Sequence, residues 1–386
     1  MAKSSPLTGA ISAHFLIDLY TPVLPIILPL LMETMGLSYF LAGLVVTVFN
    51  VVSSITQPIV GIWSDKTGKR ADVAFCVLLG AVGISLSVLC SNYLILLLLV
   101  TGAAVGHALF HPSAMQLVYR LSPPAKLGLY NSIFTTAGSI SYALGPVIAG
   151  ALIAFGGLPA VCWMVLPGII GAAWIFRLTR VTPEATETVR VQKTSLIAGS
   201  TSAAVLVVVV CALRAIGYMG VITYLPTLLT ESVGLTTFVS SVVVAVMLFF
   251  GVAGQVAGGW LSDKYGRKLM LVAGLVLAVP CFLLIFAGGP LMYAGIMSYA
   301  FFASFCYVTS VTMSQELLPG KTGLASGLTL GFTLGLGGLG AALVGLIADL
   351  SGSLSFALFL LIVPILLSPV IALFVRYRRL DEAALV

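Results

Sequence analysis

The chain has 386 residues, 60% of them hydrophobic and only 8% charged, with 18 Lys and Arg against 12 Asp and Glu. A water-soluble domain carries about a quarter charged residues, so this composition excludes one and describes a chain that crosses a membrane many times. The net charge of +6 would suit a nucleic-acid partner, but the positions of the cations explain it otherwise, and no such partner is expected.

Apolar runs of the roughly 20 residues needed to cross a bilayer fall at 8–32, 40–62, 72–91, 93–118, 127–155, 157–177, 197–229, 237–259, 269–287, 290–315, 322–349 and 353–376. They predict an all-α membrane protein with twelve transmembrane helices, numbered here as spans 1 to 12. Span 1 follows Met1-Ala-Lys3 and superficially resembles a signal peptide. It contains His14 and Asp18 and runs on through Pro22, Pro25 and Pro29, so it reads as a retained span whose outer half the prolines break. Pro226 is expected to do the same to span 7. The six cysteines, at 76, 90, 162, 211, 281 and 306, lie in apolar runs without CxxC spacing and read as buried free thiols.

Between spans 2 and 3 stands Gly61-Ile-Trp-Ser-Asp65-Lys66-Thr-Gly68-Lys69-Arg70. A near-copy lies 198 positions later, between spans 8 and 9: Gly259-Trp-Leu-Ser-Asp263-Lys264-Tyr-Gly266-Arg267-Lys268. Gln57 matches Gln255 at that offset, and Glu33-x-x-Gly36-Leu37 matches Glu231-x-x-Gly234-Leu235. A repeat near half the chain length means two related halves, as in transporters built from repeats. The longest polar stretch, holding Arg180, Pro183, Glu184, Glu187, Arg190 and Lys193, joins them. The expected domains are a six-helix bundle at 1–178, a cytoplasmic linker at 179–195 and a second six-helix bundle at 196–386.

Seventeen of the 18 Lys and Arg residues fall on one side of the twelve-span arrangement; the eighteenth, Arg214, lies inside span 7. The opposite side carries Glu33, Glu231 and Asp349. The positive-inside rule then places both termini and the 2/3 and 8/9 loops in the cytoplasm.

Two six-helix halves with Gly-x-x-x-Asp-Lys-x-Gly-Lys/Arg-Lys/Arg in both loops resemble the major facilitator superfamily, across the whole chain. A narrower resemblance is to the fosmidomycin-resistance group of efflux proteins. It is carried by His14-Phe15-x-x-Asp18, Val46-Thr-Val-Phe-Asn50 with Gln57-Pro58, Phe110-His111-Pro112, Arg214, and Gln315-Glu316-Leu-Leu-Pro319-Gly320 followed by Gly323-x-x-Ser326-Gly327. Gly145-Pro146-x-x-x-Gly150 in span 5 partly matches the signature of drug/proton antiporters. Ser141 stands where a further glycine is usual, and Ala149 replaces one of the final pair.

An ionisable side chain near mid-membrane costs a few kcal/mol, about 2.5–3.5 on insertion scales, so each is a functional candidate. His14 and Asp18 lie one turn apart on one face of span 1. They suit a proton-coupling pair or a static contact that pins the span. His107 and His111 share a face of span 4 and are candidate substrate contacts, with hydrogen bonding between helices as the plainer reading. Their i,i+4 spacing also suits metal ligands, and with His14 and Asp18 they make a four-ligand set, although no metal site is assigned. Pro112 implies a local bend in span 4. Arg214 is either a fixed positive charge for an anionic substrate or an ion-pair partner of Asp18. Tyr218, one turn on, adds a hydroxyl or simply packs. The resemblance implies that spans 1, 4 and 7 line a central cavity where these residues converge. It also implies that the two charged loops hold the cytoplasmic side closed, with Asp65 and Asp263 meeting helix N-termini or arginines. Gly323, Gly327, Gly331 and Gly335 make a smooth stripe on span 11 for close packing.

No GxxxxGK[ST] is present, so ATP does not drive the protein. There is no HExxH or evident Ser/His/Asp set for an enzyme, and no lysine inside a span for a retinal receptor. The expectation is a proton-coupled secondary transporter, an efflux antiporter for a small anionic or amphiphilic compound of the fosmidomycin type working by alternating access. The alternatives are a symporter or importer of an organic anion, or a carrier of a metal or metal chelate through His14, Asp18, His107 and His111. The expected partners are the small-molecule substrate, protons and the bilayer, with a monomeric state, no cofactor and a proton gradient as energy source. The expected location is the cytoplasmic (inner) membrane.

Overall fold

A backbone in hydrocarbon has no water to satisfy its N–H and C=O groups, so a spanning segment satisfies them within itself as a helix. In the computed structural model, which describes residues 4–67, 69–122, 127–180, 201–318, 325 and 327–377, there is accordingly no strand among the described residues. The helices are α1 (Ser4–Tyr20), α2 (Val23–Met35), α3 (Tyr39–Thr67), α4 (Val73–Ser87), α5 (Tyr93–Leu121), α6 (Leu127–Gly156), α7 (Val165–Thr179), α8 (Thr201–Glu231), α9 (Thr237–Tyr265), α10 (Arg267–Leu284), α11 (Gly289–Leu317), α12 (Thr333–Ser351), α13 (Leu354–Phe359) and α14 (Ile362–Leu373). A 3₁₀ segment, Leu158–Met164, precedes α7, and a π-helical segment, Gly327–Phe332, precedes α12. Eleven stretches are long and apolar enough to cross a membrane, and α4 is a shorter apolar helix in the place of span 3. The twelve expected spans are therefore all helical.

Span 1 breaks once rather than three times. The chain turns after Tyr20 at Pro22, which caps α2, because proline lacks the N–H that would continue the helix. Pro25 falls in the first turn of α2, where no intrahelical donor is lost, and Pro29 is carried inside the helix. Pro226 does not break α8, and Pro112 lies inside α5. Only Cys76, Cys211 and Cys306 are buried; Cys90, Cys162 and Cys281 are partly exposed, as apolar runs that face lipid allow.

The described residues divide into two compact units. The first holds α1–α7 together with Thr223–Ala245, and the second holds α8 up to Ile222 and the chain from Val246 onward. The first unit packs α1 against α4, α6 and α7, and α5 against α3 and α4. Its core joins Ala10, Ala13 and Ile17 of α1 to Val73 and Val77 of α4, Phe110 and Ala114 of α5 and Phe134 of α6. Thr223–Ala245 joins this unit through Tyr39, whose hydroxyl donates to Glu231 Oε2 at 2.6 Å and whose carbonyl accepts from the Tyr224 hydroxyl. The second unit's core joins Val207, Val210 and Cys211 of α8 to Leu271 and Leu275 of α10 and Cys306 and Met313 of α11. The expected linker lies outside the described residues from 181 onward, as do Lys3, Lys126, Pro319, Gly320, Lys321 and Ser326.

The internal repeat is visible at atomic detail. Gly36 and Gly234 both take left-handed conformations, with φ of 65° and 77°. Leu37 N–H returns to the Met32 carbonyl at 3.1 Å, and Leu235 N–H to the Leu229 carbonyl at 3.0 Å. Ser38 and Thr236 then open the next helices, accepting from Leu41 N–H and Val239 N–H, each at 3.3 Å. Alanine is strained at positive φ by about 1 kcal/mol. Gly36→Ala and Gly234→Ala are each expected to lower stability by about that amount. Gly102→Ala, in a helix with open space around the site, should be neutral or stabilising. Thermal unfolding of the detergent-solubilised protein checks the ordering.

Candidate functional site

The i,i+4 spacing on α1 sets His14 and Asp18 on one face, with His14 Nε2 3.1 Å from Asp18 Oδ2. His14 is turned by α6: its Nδ1 donates to the Phe134 carbonyl at 2.7 Å, and its ring stacks on Phe134 at 4.0 Å. Because Nδ1 must carry the proton to donate there, Nε2 is the nitrogen that meets the carboxylate. From α5, His107 Nε2 reaches Asp18 Oδ1 at 3.5 Å and His111 Nε2 reaches it at 3.7 Å. These two nitrogens lie 3.0 Å apart. His107 is held from α3, where Ser53 Oγ contacts its Nδ1 at 3.1 Å and accepts from Gln57 Nε2 at 3.0 Å. All three histidines of the chain thus surround one carboxylate, inside a single unit. Side-chain exposure is 7% for His14, 13% for Asp18, 17% for His107 and 27% for His111. The ligand-type atoms of His14, Asp18 and His111 lie within 4.8 Å of one another, close enough to hold a metal ion. Asp18 Oδ1 is buried and has no hydrogen-bond partner among the described residues.

Arg214 belongs to the second unit and is buried there. Its guanidinium donates through one Nη to the Ala303 carbonyl at 3.2 Å and lies over the Tyr307 ring at 5.0 Å from its centroid. Its Nε is buried with no acceptor among the described residues. Both of its described partners come from α11, and neither is acidic. Tyr218, one turn along α8, lies beside Tyr299 with ring centroids 6.4 Å apart. The two constellations occupy equivalent places in the repeat. At the offset of 198, Arg214 corresponds to Leu16, between His14 and Asp18. The helices α5 and α11 both have 29 residues, and aligned end to end they set His107 and His111 opposite Ala303 and Tyr307, the two partners of Arg214.

The model of the Major Facilitator Superfamily matches residues 9–329 and, a second time, 207–385. The chain belongs to that superfamily. Among its relatives, the fosmidomycin resistance protein of Escherichia coli K12 is 31% identical over 355 residues, covering 88% of this chain and 86% of that protein. YfnC of Bacillus subtilis, an uncharacterized MFS-type transporter, is 25% identical over 365 residues, covering 92% and 88%. In structure, the chain is similar to a bacterial homologue of the human lysosomal transporter Spinster, solved in an inward-facing, occupied conformation. The TM-score is 0.79, with 17% identity and 96% of each chain covered. The major facilitator protein described here is therefore a multi-pass membrane transporter and not an enzyme.

Of the superfamily's paired loops, the second is described in full. Arg267 donates to Asp263 at 2.8 Å, to both oxygens of Glu316 at 3.0 and 3.1 Å, and to Ser262 Oγ at 3.3 Å. The Tyr377 hydroxyl also donates to Glu316, and Lys268 Nζ donates to the Leu373 carbonyl at 2.9 Å. Asp263 thus meets an arginine, and the loop is fastened to the end of α11 and to the chain after α14. Gly266 sits at φ 99°, while Lys264 lies over Tyr265 and Trp260. A methyl at Gly259 would meet Val308 at 3.7 Å, whereas one at Gly61 would meet nothing within 4 Å. In the first loop Ser64 Oγ donates to the Lys69 carbonyl at 2.8 Å. Lys66 and Lys69 are exposed. Burial and the nearby Arg120 lower the pKa of Arg70, against the pull of Asp72. Gly68 and the Asp65 side chain lie outside the described residues.

In α6, Gly145 packs against the Leu19 carbonyl and Pro22 of the first span, and Gly150 against Ser241. Of the expected stripe on span 11, Gly331 and Gly335 are buried, Gly327 faces open space, and Gly323 lies outside the described residues. Gly337 and Gly340 also lie against the Ala215 and Ile216 backbone, close to Arg214.

Sequence reasoning missed Ser53, the Phe134 carbonyl and Gly138. A methyl at Gly138 would come within 2.5 Å of His14 Nε2 and 2.7 Å of Asp18 Oδ2. The available signal was its seven-residue spacing from Gly145, which puts both on the face of α6 that meets span 1. Gly138→Ala should displace the His14–Asp18 pair and lower stability by about 1–3 kcal/mol. With His14→Ala already in place, the added cost should shrink, because the ring is gone. A double-mutant cycle of thermal unfolding tests that coupling.

Proposed function

We propose that this transporter is a proton-coupled exporter of a small anionic or amphiphilic compound of the fosmidomycin type. Arg214 binds the anionic group, with Tyr218 beside it, and Asp18 with His14 exchanges protons. His107 and His111 complete the polar surface around Asp18. The observation that carries the reading is Arg214, a buried guanidinium whose Nε has no acceptor among the described residues and whose described partners are a carbonyl and a ring. A permanent cation in such a place favours a ligand that brings phosphonate or carboxylate oxygens to its planar fork. The 31% identity to a fosmidomycin resistance protein supports the same substrate class. Gly145-Pro146-x-x-x-Gly150, whose Gly145 packs on span 1, supports antiport.

In this reading the protein works by alternating access, with the Gly61–Arg70 and Gly259–Lys268 loops as cytoplasmic gates. The protein works as a monomer in the cytoplasmic membrane with both termini in the cytoplasm. That orientation rests on the one-sided placement of Lys and Arg.

Proteoliposomes with a trapped pH-sensitive dye test the proposal. Fosmidomycin added outside should drive proton flux in the antiport direction, and Asp18→Asn should abolish it. Arg214→Ala removes a charge-assisted contact of about 1.5–3 kcal/mol, so half-saturation should rise roughly 10–150-fold. Flux of the opposite sign would make the protein a symporter. Flux driven by cationic drugs but not by anions would overturn the substrate class.

A further inference from the structure

The structure assigns a second ligand to the histidine cluster: we propose that His14, Asp18, His111 and His107 bind a divalent transition-metal ion of the zinc type in tetrahedral geometry. This inference rests on neither the proposed substrate nor the proposed coupling.

The donor spacing is the first ground. Zinc–nitrogen bonds of roughly 2.0–2.1 Å put tetrahedral ligands about 3.3–3.4 Å apart. The donor pairs of the cluster stand at 3.0 Å (His107 and His111), 3.1 Å (His14 and Asp18), 3.5 Å (His107 and Asp18) and 3.7 Å (His111 and Asp18). These four of the tetrahedron's six edges bracket that length; the donor atoms of His14, Asp18 and His111 lie within 4.8 Å of one another, and His107 joins them through Asp18 and His111. Three imidazoles and one carboxylate are a donor set for zinc, cobalt or nickel, and a poor one for magnesium or calcium, which take oxygen ligands.

The surroundings of the ligands are the second ground. A metal-binding imidazole donates its other ring nitrogen to a neighbour, which fixes the tautomer and aims the free nitrogen. His14 does this through Nδ1 to the Phe134 carbonyl, and His107 Nδ1 is engaged by Ser53, itself anchored by Gln57. In both, Nε2 is left pointing at the cluster.

The third ground is independent of spacing. Asp18 Oδ1 is buried inside a membrane-spanning unit and has no hydrogen-bond partner among the described residues. A buried polar atom left unsatisfied is costly, and a cation among these donors satisfies it. Because ion binding requires unprotonated ligands, metal and proton compete for the same four side chains.

The test uses the full-length protein, purified with a histidine-free tag, stripped with a chelator and held in nanodiscs. Calorimetry with Zn²⁺ should give one saturable site per chain in the micromolar range or tighter. Co²⁺ should give the intense visible bands of a tetrahedral complex, and Mg²⁺ should not compete. Asp18→Asn and His111→Gln should each weaken binding at least about tenfold, and Ser53→Ala, which touches no metal, by roughly 10–100-fold. Cys76→Ser, a thiol of the same hydrophobic cluster, should bind as the parent does. Elution profile and melting temperature confirm that each variant is folded.

No saturable binding, binding unchanged in folded Asp18→Asn and His111→Gln, or a weak octahedral Co²⁺ spectrum would each overturn the assignment. No gradient or substrate enters the measurement. Failure here therefore leaves the transport reading standing, and failure of proton-driven export leaves this result standing.

Discussion

A carboxylate inside a membrane-spanning bundle has to be surrounded by groups that compensate it, and that constraint arranges the first unit. Asp18 would cost a few kcal/mol, about 2.5–3.5 on insertion scales, if α1 met lipid at that point. Three imidazoles from two helices enclose it instead, and two of them are held by further partners on α3 and α6. The polar cluster therefore fixes the rotation of α1 relative to α3, α5 and α6. A helix turned by one residue, about 100°, would take Asp18 off the cluster and His14 off the Phe134 carbonyl.

Hydrophobic burial does not draw helices together in lipid, so close packing and polar contacts have to do so. The packing here is densest where a side chain is missing. Gly138 and Gly145 let α6 reach the polar atoms and backbone of the first span, and Gly337 and Gly340 let α12 reach the backbone of α8. In both units the helix that carries the charged group, α1 or α8, is clamped by glycines of another helix. Small residues thus place the functional groups without contributing any chemistry themselves.

What could be read from the sequence follows from the same constraints. Lipid demands long apolar runs and the insertion machinery demands one-sided cations, so the twelve spans and the repeat were visible directly. The ionisable residues of the site were visible because each one in an apolar run is an expensive exception. Phe134 contributes a carbonyl, which every residue has, and Gly138 contributes an absence. Neither leaves a compositional mark. Ser53 is one serine among many until His107 is known to face it. The break expected in the outer half of span 1 falls at Pro22, while Pro29 and Pro226 are carried inside helices, because a helix surrounded by other helices tolerates most prolines. A local rule for proline yields there to tertiary packing.

The repeat also explains why the chemistry is split. Gene-level duplication supplies two similar scaffolds, visible in the matched caps at Gly36 and Gly234 and in the equal lengths of α5 and α11. On the first scaffold the stretch around Leu16 and the middle of α5 hold His14, Asp18, His107 and His111; on the second the matching stretches hold Arg214, the Ala303 carbonyl and Tyr307. One set offers a carboxylate with three imidazoles around it. The other offers a guanidinium, a permanent cation. Divergence within two similar scaffolds thus leaves an ionisable cluster in one unit and a permanent cation in the other, so that the two halves share a frame without sharing a chemistry.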